Sequence, residues 1–434
     1  MLFSPSLRIG FSTLVGVFAV AACSPETSGG LFAADGGPGT DAGVPEAEAD
    51  GSATVDGGGL PTCTSPFAGR PAITLSASSG AAPSVAWTGK SYVAVWAELG
   101  PSNKPVPGAS GSGGALFAAA MDATGIVTGI PSKLAPNASN VVIAHAGTGL
   151  VVAYDDFYTP TGLGAGEGYL SIVSVDAKGA ILGGAARVDD SLQFGHTSIV
   201  LASTDTGSLL LNWGLGLKLL APAAPSSKER LNIVERDVEA GNIVWNGAHF
   251  AVAWRVFATD QARTPAGVRF SEAAANGDLS GPQLQLSGEK TQASTYHMPQ
   301  HVLPFVTWTG SDYRIAWFEL LPDGVSYSLA ATRVANGTAD AVTRRAIDNG
   351  TRPLTAPRWN GAEFAALAVV QGSFALVRYS KDGKPIGAPI VLEANLPAVA
   401  EGDVTLLWTG REYMAGWGGA NVKVARIGTC GSEP

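Results

Sequence analysis

The chain has 434 residues, a formal net charge of −9 and only 15% charged residues. Setting aside Arg8 and the seven acids between positions 24 and 62 leaves −3 for residues 63–434. A domain so nearly neutral, with no polybasic cluster, lacks the electrostatic footprint of a nucleic-acid binder.

In chain order, the first segment reads as a targeting signal. Arg8 is its single charge, and the apolar stretch from Ile9 to Ala22 is too short to span a bilayer as a mature helix. It ends in Val20-Ala21-Ala22-Cys23, small residues before a cysteine. This resembles the lipobox of bacterial lipoproteins. The resemblance implies cleavage after residue 22, lipidation of Cys23 and attachment to a membrane through that lipid. It places the protein outside the cytoplasm, and Ser24 in the position after the cysteine favours the outer membrane over the inner.

Residues 23–62 follow as a tether rich in Gly, Ala, Pro and Asp, with seven acids and no Lys or Arg. Such a composition buries too little apolar surface to offset chain entropy, which predicts disorder. Its root-mean-square reach is about 30–40 Å. In style it resembles the linkers of myxobacterial surface lipoproteins. The other two cysteines, Cys63 and Cys430, bracket the remaining domain, and in an exported protein they are expected to pair. In the chain-entropy account so long a loop contributes about 5–6 kcal/mol.

Residues 63–434 carry a repeat. All ten tryptophans fall on two positions of one ten-residue pattern: aromatic, Thr or Asn, Gly, two variable residues, aromatic, three mostly apolar residues, aromatic. The clear copies run from Trp87 to Trp96, Trp245 to Trp254, Trp308 to Trp317 and Trp408 to Trp417. A fifth begins at Trp359 and ends on Ala368. Weaker copies start at His145 and at Thr204, the latter with its glycine displaced to Gly207. Each copy is a hairpin signal, because Asn-Gly and Thr-Gly supply the positive backbone angles of a tight turn. A second turn follows in most units, at Asp122–Gly125, Asp176–Gly179, Asn276–Gly277, Asn336–Gly337 and Asp382–Gly383.

Four strands in roughly 50 residues is the signature of a β-propeller blade, and the pattern resembles kelch-type repeats. The expected fold is all-β: a seven-bladed propeller of four-stranded antiparallel blades. The last copy lacks a fourth strand, which the segment Arg70–Ser76 would supply, closing the ring. A stacked β-solenoid, or six or eight blades, are the alternatives. The repeated tryptophans read as frame, packed between neighbouring blades, rather than as sugar platforms.

Chemistry is harder to find. No Gly-x-Ser-x-Gly, His-Glu-x-x-His or phosphate-binding glycine loop is present, and no cofactor or metal is expected. Long variable segments fall between second and third strands and between units, all at one end of the barrel. That end carries His196, Tyr296, His297 and His301, with Glu98, Asp155, Asp156 and Glu319 closing second strands. These form the candidate ligand-binding face. The expected function is a monomeric, lipid-anchored binding module presenting this face to a protein or glycan. The alternatives are a propeller enzyme acting on polysaccharide and a structural envelope component.

Overall fold

A computed structural model describes residues 71–98, 114–158, 167–194, 199–212, 219–220, 238–256, 267–288, 303–348, 350–394, 404–410 and 412–428. The lipobox with Cys23, the tether, Cys63 and Cys430 lie outside these residues, as do His196, Tyr296, His297 and His301. Among the described residues there is no helix, and the strands pair antiparallel in every sheet.

The repeat folds as its chemistry dictates. The glycine of each copy has a positive φ, from 60° at Gly147 to 101° at Gly361, where a side chain would be strained. The Thr or Asn before it is chosen for its side-chain oxygen. Thr88, Thr309 and Thr409 accept through Oγ1 the amide of the residue three further on, and Asn246 and Asn360 do so through Oδ1. The side chain thus satisfies an amide the turn leaves without a backbone acceptor. Across the turn, the first and second aromatics tilt together in one geometry. Trp87–Tyr92, Trp308–Tyr313 and Trp408–Tyr413 have centroids 4.5, 4.8 and 4.8 Å apart.

Four sheets are complete blades of a β-propeller. One holds Val238–Trp245, Phe250–Val256, Gly267–Ala273 and Leu284–Gln285 in that order. A second runs from Phe305–Trp308 through Tyr313–Leu320 to Tyr327–Ala335, whose outer edge pairs with both Thr338–Ala339 and Thr343–Ala346. In a third, the innermost strand is split into Thr351–Pro353 and Arg358–Trp359, as Pro353 and Pro357 demand. Thr355 Oγ1 accepts the Leu367 amide at 3.0 Å and bridges the gap.

The fourth blade closes on the other end of the chain. Val404–Trp408, Glu412–Trp417 and Val422–Gly428 are joined by Ile73–Ser76, which pairs Ile73 with Val424 and Thr74 with Lys423. The fourth strand missing from the last repeat is therefore the N-terminal one, as its sequence suggested.

Two sheets depart from the regular four-stranded expectation. Val200–Ser203, Leu209–Asn212 and Leu219–Leu220 form a three-stranded sheet around the weakest copy of the repeat. In the other, seven strands run continuously because Val127–Ala146 serves as the outer strand of one hairpin pair and the inner strand of the next. Asn140 marks the bend between its two halves, with φ at 46° and a register irregularity between Ser139 and Val142.

Packing between sheets goes around in a circle. Trp96, Ala86 and Val151 each belong to a different apolar cluster, and each cluster joins one hairpin to a neighbour. The series continues through Leu210 with Trp254, Phe270 with Trp317, Phe318 with Trp359, and Phe374 with Trp417. The cluster around Trp96 contains Met414 and Val424, so the last sheet packs on the first. Trp96, Trp254, Trp317 and Trp417 are all fully buried in these seams. Each contributes about 4–6 kcal/mol of apolar burial as an upper figure.

Candidate functional site

The antiparallel order sends alternate connections to opposite ends of the propeller. One end carries the tight turns of the repeat, and here recurring ion pairs tie the turn to the adjacent third strand of the same sheet. Asp312 with Arg333, Glu363 with Arg378 and Glu412 with Arg426 meet at 2.7, 2.7 and 2.8 Å. In each, the acid sits in the repeat turn and the arginine two register positions along the third strand.

The Tyr92 hydroxyl, from the next sheet, donates to Glu412, and Tyr313 donates to Glu272 at 2.7 Å. Burial first, then the Glu412 or Glu272 hydrogen bond, pushes Tyr92 and Tyr313 well above the ordinary phenol value. Burial, then the charge of Glu363, does the same to Tyr413. All three stay neutral across the physiological range, and Tyr92 and Tyr313 donate to their carboxylates. A 170 Å³ pocket lies beside Asn246, Glu272 and Tyr313. This end is otherwise clasped by scaffold contacts.

The opposite end carries the candidate acids, and each described carboxylate with an identified partner is engaged by the scaffold. Glu98 accepts the Ser76 hydroxyl at 2.6 Å, tying the first repeat to the strand that completes the last sheet. Asp155 is buried and accepts from Asn140 Nδ2 at 2.7 Å, beside the bend in the long strand. Glu319 accepts the Trp317 indole N–H at 3.0 Å and two bonds from Arg344 at 2.8 and 3.1 Å. Asp156, half-buried, raises the Tyr154 pKa by its charge, after burial as the larger cause.

The same device recurs at Trp417, whose indole donates to Glu393 at 2.9 Å. Two of the repeated tryptophans thus anchor acids as well as fill seams. An open depression of 340 Å³ lies at this end, lined by Val325, Tyr327, Thr351 and Arg352 among others. Among the described residues, no three His, Cys, Asp or Glu side chains come together as metal ligands would.

Between the two ends, the innermost strands face the axis, where propellers have a central channel. Their residues alternate: Ile143, Val306 and Leu406 are buried in or near the seams, while Val244, Thr307 and Leu407 keep partial exposure. An innermost strand has an unpaired edge, and side chains of neighbouring strands satisfy it. Asn242 bonds both ways with Val306, donating to its carbonyl at 2.9 Å and accepting its amide at 2.7 Å. Ser84 Oγ accepts the Ile143 amide at 3.2 Å, and Thr405 Oγ1 donates to the Pro83 carbonyl at 2.5 Å.

Arg358 breaks this pattern. The residue before the first aromatic of the repeat is Ala86, Ala144, Ser203, Val244, Thr307 or Leu407 in the other copies, and a cation only here. The guanidinium lies 3.4 Å from the Phe305 ring centroid on one neighbouring strand and donates from Nε to the Leu406 carbonyl at 3.1 Å on the other. That one column of the repeat is the sequence signal for it, and it belongs to no catalytic motif.

No family model matches the chain, and no curated protein does. Solved structures that resemble it include the polysaccharide lyase Uly1, at 10% identity and TM-score 0.47, covering 80% of this chain and 89% of that one. A GH43_1 enzyme from Xanthomonas citri gives 12% identity and TM-score 0.36, covering 74% and 94%. A prolyl endopeptidase gives 12% and 0.43, covering 78% of this chain; the present chain spans 45% of that protein. No activity is carried over from them.

Proposed function

We propose that this protein is a non-catalytic binding module: a monomeric seven-bladed propeller, anchored outside the cytoplasm through lipid on Cys23, presenting its loop-bearing end to a glycan or protein. The observation that carries the binding role is the engagement of the acids at that end. Glu98, Asp155 and Glu319 each accept hydrogen bonds that hold strands or tryptophans in place. General acid–base work needs a carboxylate positioned toward substrate rather than consumed by the frame. The opposite end is clasped by turn-to-strand ion pairs, which leaves the end with the long variable segments for recognition. His196, Tyr296, His297 and His301 belong to those segments by sequence and are proposed as part of the same face.

Seven blades are supported by seven apolar seams among the described residues, each joining successive hairpins and the last returning to the first. The seven-stranded and three-stranded sheets then supply three units beside the four complete blades. A Cys63–Cys430 bridge is proposed between the cysteines that flank, in sequence, the paired strands Ile73–Ser76 and Val422–Gly428.

The test is calorimetric titration of residues 63–434 with polysaccharide fractions from bacterial envelopes, with reducing-end and unsaturated-uronide release followed in the same samples. The expected result is saturable binding with no chain cleavage. Cleavage that disappears in Glu319→Gln or Asp155→Asn would replace this role with the polysaccharide-active enzyme.

A further inference from the structure

Among the described residues, none gives the Arg358 guanidinium a counter-charge. Its Nη1 is sealed from solvent and has no hydrogen-bond partner. Burial pulls its pKa down to about 9. At the turn end, Arg378 and Arg426, with side chains 15% and 8% exposed, each have an acid within 2.8 Å. A desolvated, unpaired guanidinium is costly, and a fold that only needed to fill this position could use a neutral side chain.

The geometry also gives the group a direction. From the position before Trp359, the side chain reaches to Phe305 and Leu406, which lie two and one positions nearer the start of their innermost strands. Those starts open on the loop-bearing end. Stacking on Phe305 fixes the guanidinium plane, and the Leu406 bond uses Nε, leaving Nη2 as the nitrogen neither sealed nor committed to the scaffold. Thr307, at the equivalent position of the adjoining strand, keeps partial exposure beside the channel.

We propose that Arg358 is an anion-recognition group in the channel, binding an oxyanion, carboxylate or phosphate ester, carried by a saccharide that enters from the loop-bearing end. This rests on the binding role proposed above and names its ligand chemistry. The test is titration of residues 63–434 with tetragalacturonate, mannose 6-phosphate and neutral galactotetraose, for wild type, Arg358→Lys and Arg358→Met.

Wild type is expected to bind at least one of the two anionic probes, and which one identifies the source of the oxyanion. Galactotetraose should bind at least about tenfold more weakly than that probe. Arg358→Met should weaken the anionic probe about 30-fold or more, as expected for losing one partner of a desolvated charge pair. Its melting temperature should be unchanged or higher, since it removes an unpaired buried charge. Arg358→Lys, which keeps charge but loses the planar stacked guanidinium, should fall between, and it carries the test if the Met variant does not fold. Equal anion affinity in wild type and the folded variants overturns the inference. So does failure of wild type to bind either anion, even where envelope fractions are still retained and the binding role itself survives.

Discussion

The contact between Tyr92, Glu412 and Arg426 exists only if the first repeat meets the last, so its energetics report on ring closure. Tyr92 and Glu412 are 320 positions apart in the chain. The Glu412 and Arg426 side chains are 12% and 8% exposed, dry enough for the pair to matter. Tyr92→Phe removes one hydrogen bond to a charged acceptor and should cost about 1.5–3 kcal/mol. Arg426→Met leaves Glu412 in a buried site with only the phenol, and should cost about 3–5 kcal/mol. The double variant should fall short of additivity by about 0.5–3 kcal/mol, since both groups serve one carboxylate. Equilibrium urea unfolding of residues 63–434, followed by tryptophan fluorescence with Glu412→Gln as a further corner, measures all of these. Additive, near-neutral effects would refute the contact and the closure it represents.

The tyrosines give a pH test. A phenol whose folded pKa is raised contributes stability that is full below its unfolded value near 10 and is lost as pH climbs above it. Tyr92, Tyr313, Tyr379 and Tyr413 are all raised, with burial the first cause. Absorbance at 295 nm should therefore show part of the phenol signal ionising in the native domain near pH 10–11 and the rest only with unfolding; a single smooth step would contradict the burial. Gly310→Ala, at φ 93° with open space around its side, should cost about 1–2 kcal/mol in the same urea assay through backbone strain alone. Trp317→Ala should cost about 3–5 kcal/mol by opening a seam, whereas Trp308→Ala should leave glycan affinity within about twofold if tryptophan is frame and not platform. Peptide mapping of unreduced protein should yield one Cys63–Cys430 cross-link; two free thiols would remove the bridge.

The scaffold was legible because its information is local and repeated. Trp, Thr or Asn, and Gly at fixed offsets specify a turn whose hydrogen bonds close within four residues, as at Thr309 and Asp312. Closure was legible because the last repeat runs out of strands and Ile73–Ser76 resembles the missing one. The continuous strand Val127–Ala146 was not, since it carries Pro136, Asn137 and Asn140, residues typical of turns, yet stays paired on both sides of its bend. Nor were the partners of the candidate acids. Glu319 reads as an exposed strand end, but Trp317 and Arg344 converge on it from two neighbouring positions in space. Such convergence depends on register between strands, which a composition of alternating apolar residues does not encode. Arg358 stood in plain view as the one charged residue in its column of the repeat, yet its meaning comes from Phe305 and Leu406 on other strands.

The claim that matters most is that ligand meets the loop-bearing end and leaves intact. Hydrogen–deuterium exchange of residues 63–434, alone and saturated with a retained polysaccharide fraction, tests it directly. Slowed exchange should appear in the segments between second and third strands and between units, around 99–113, 257–266 and 289–302, with the polysaccharide recovered at its original length. Protection concentrated instead at the repeat turns around Gly89, Gly310 and Gly410, or recovery of shortened chains, would contradict the account.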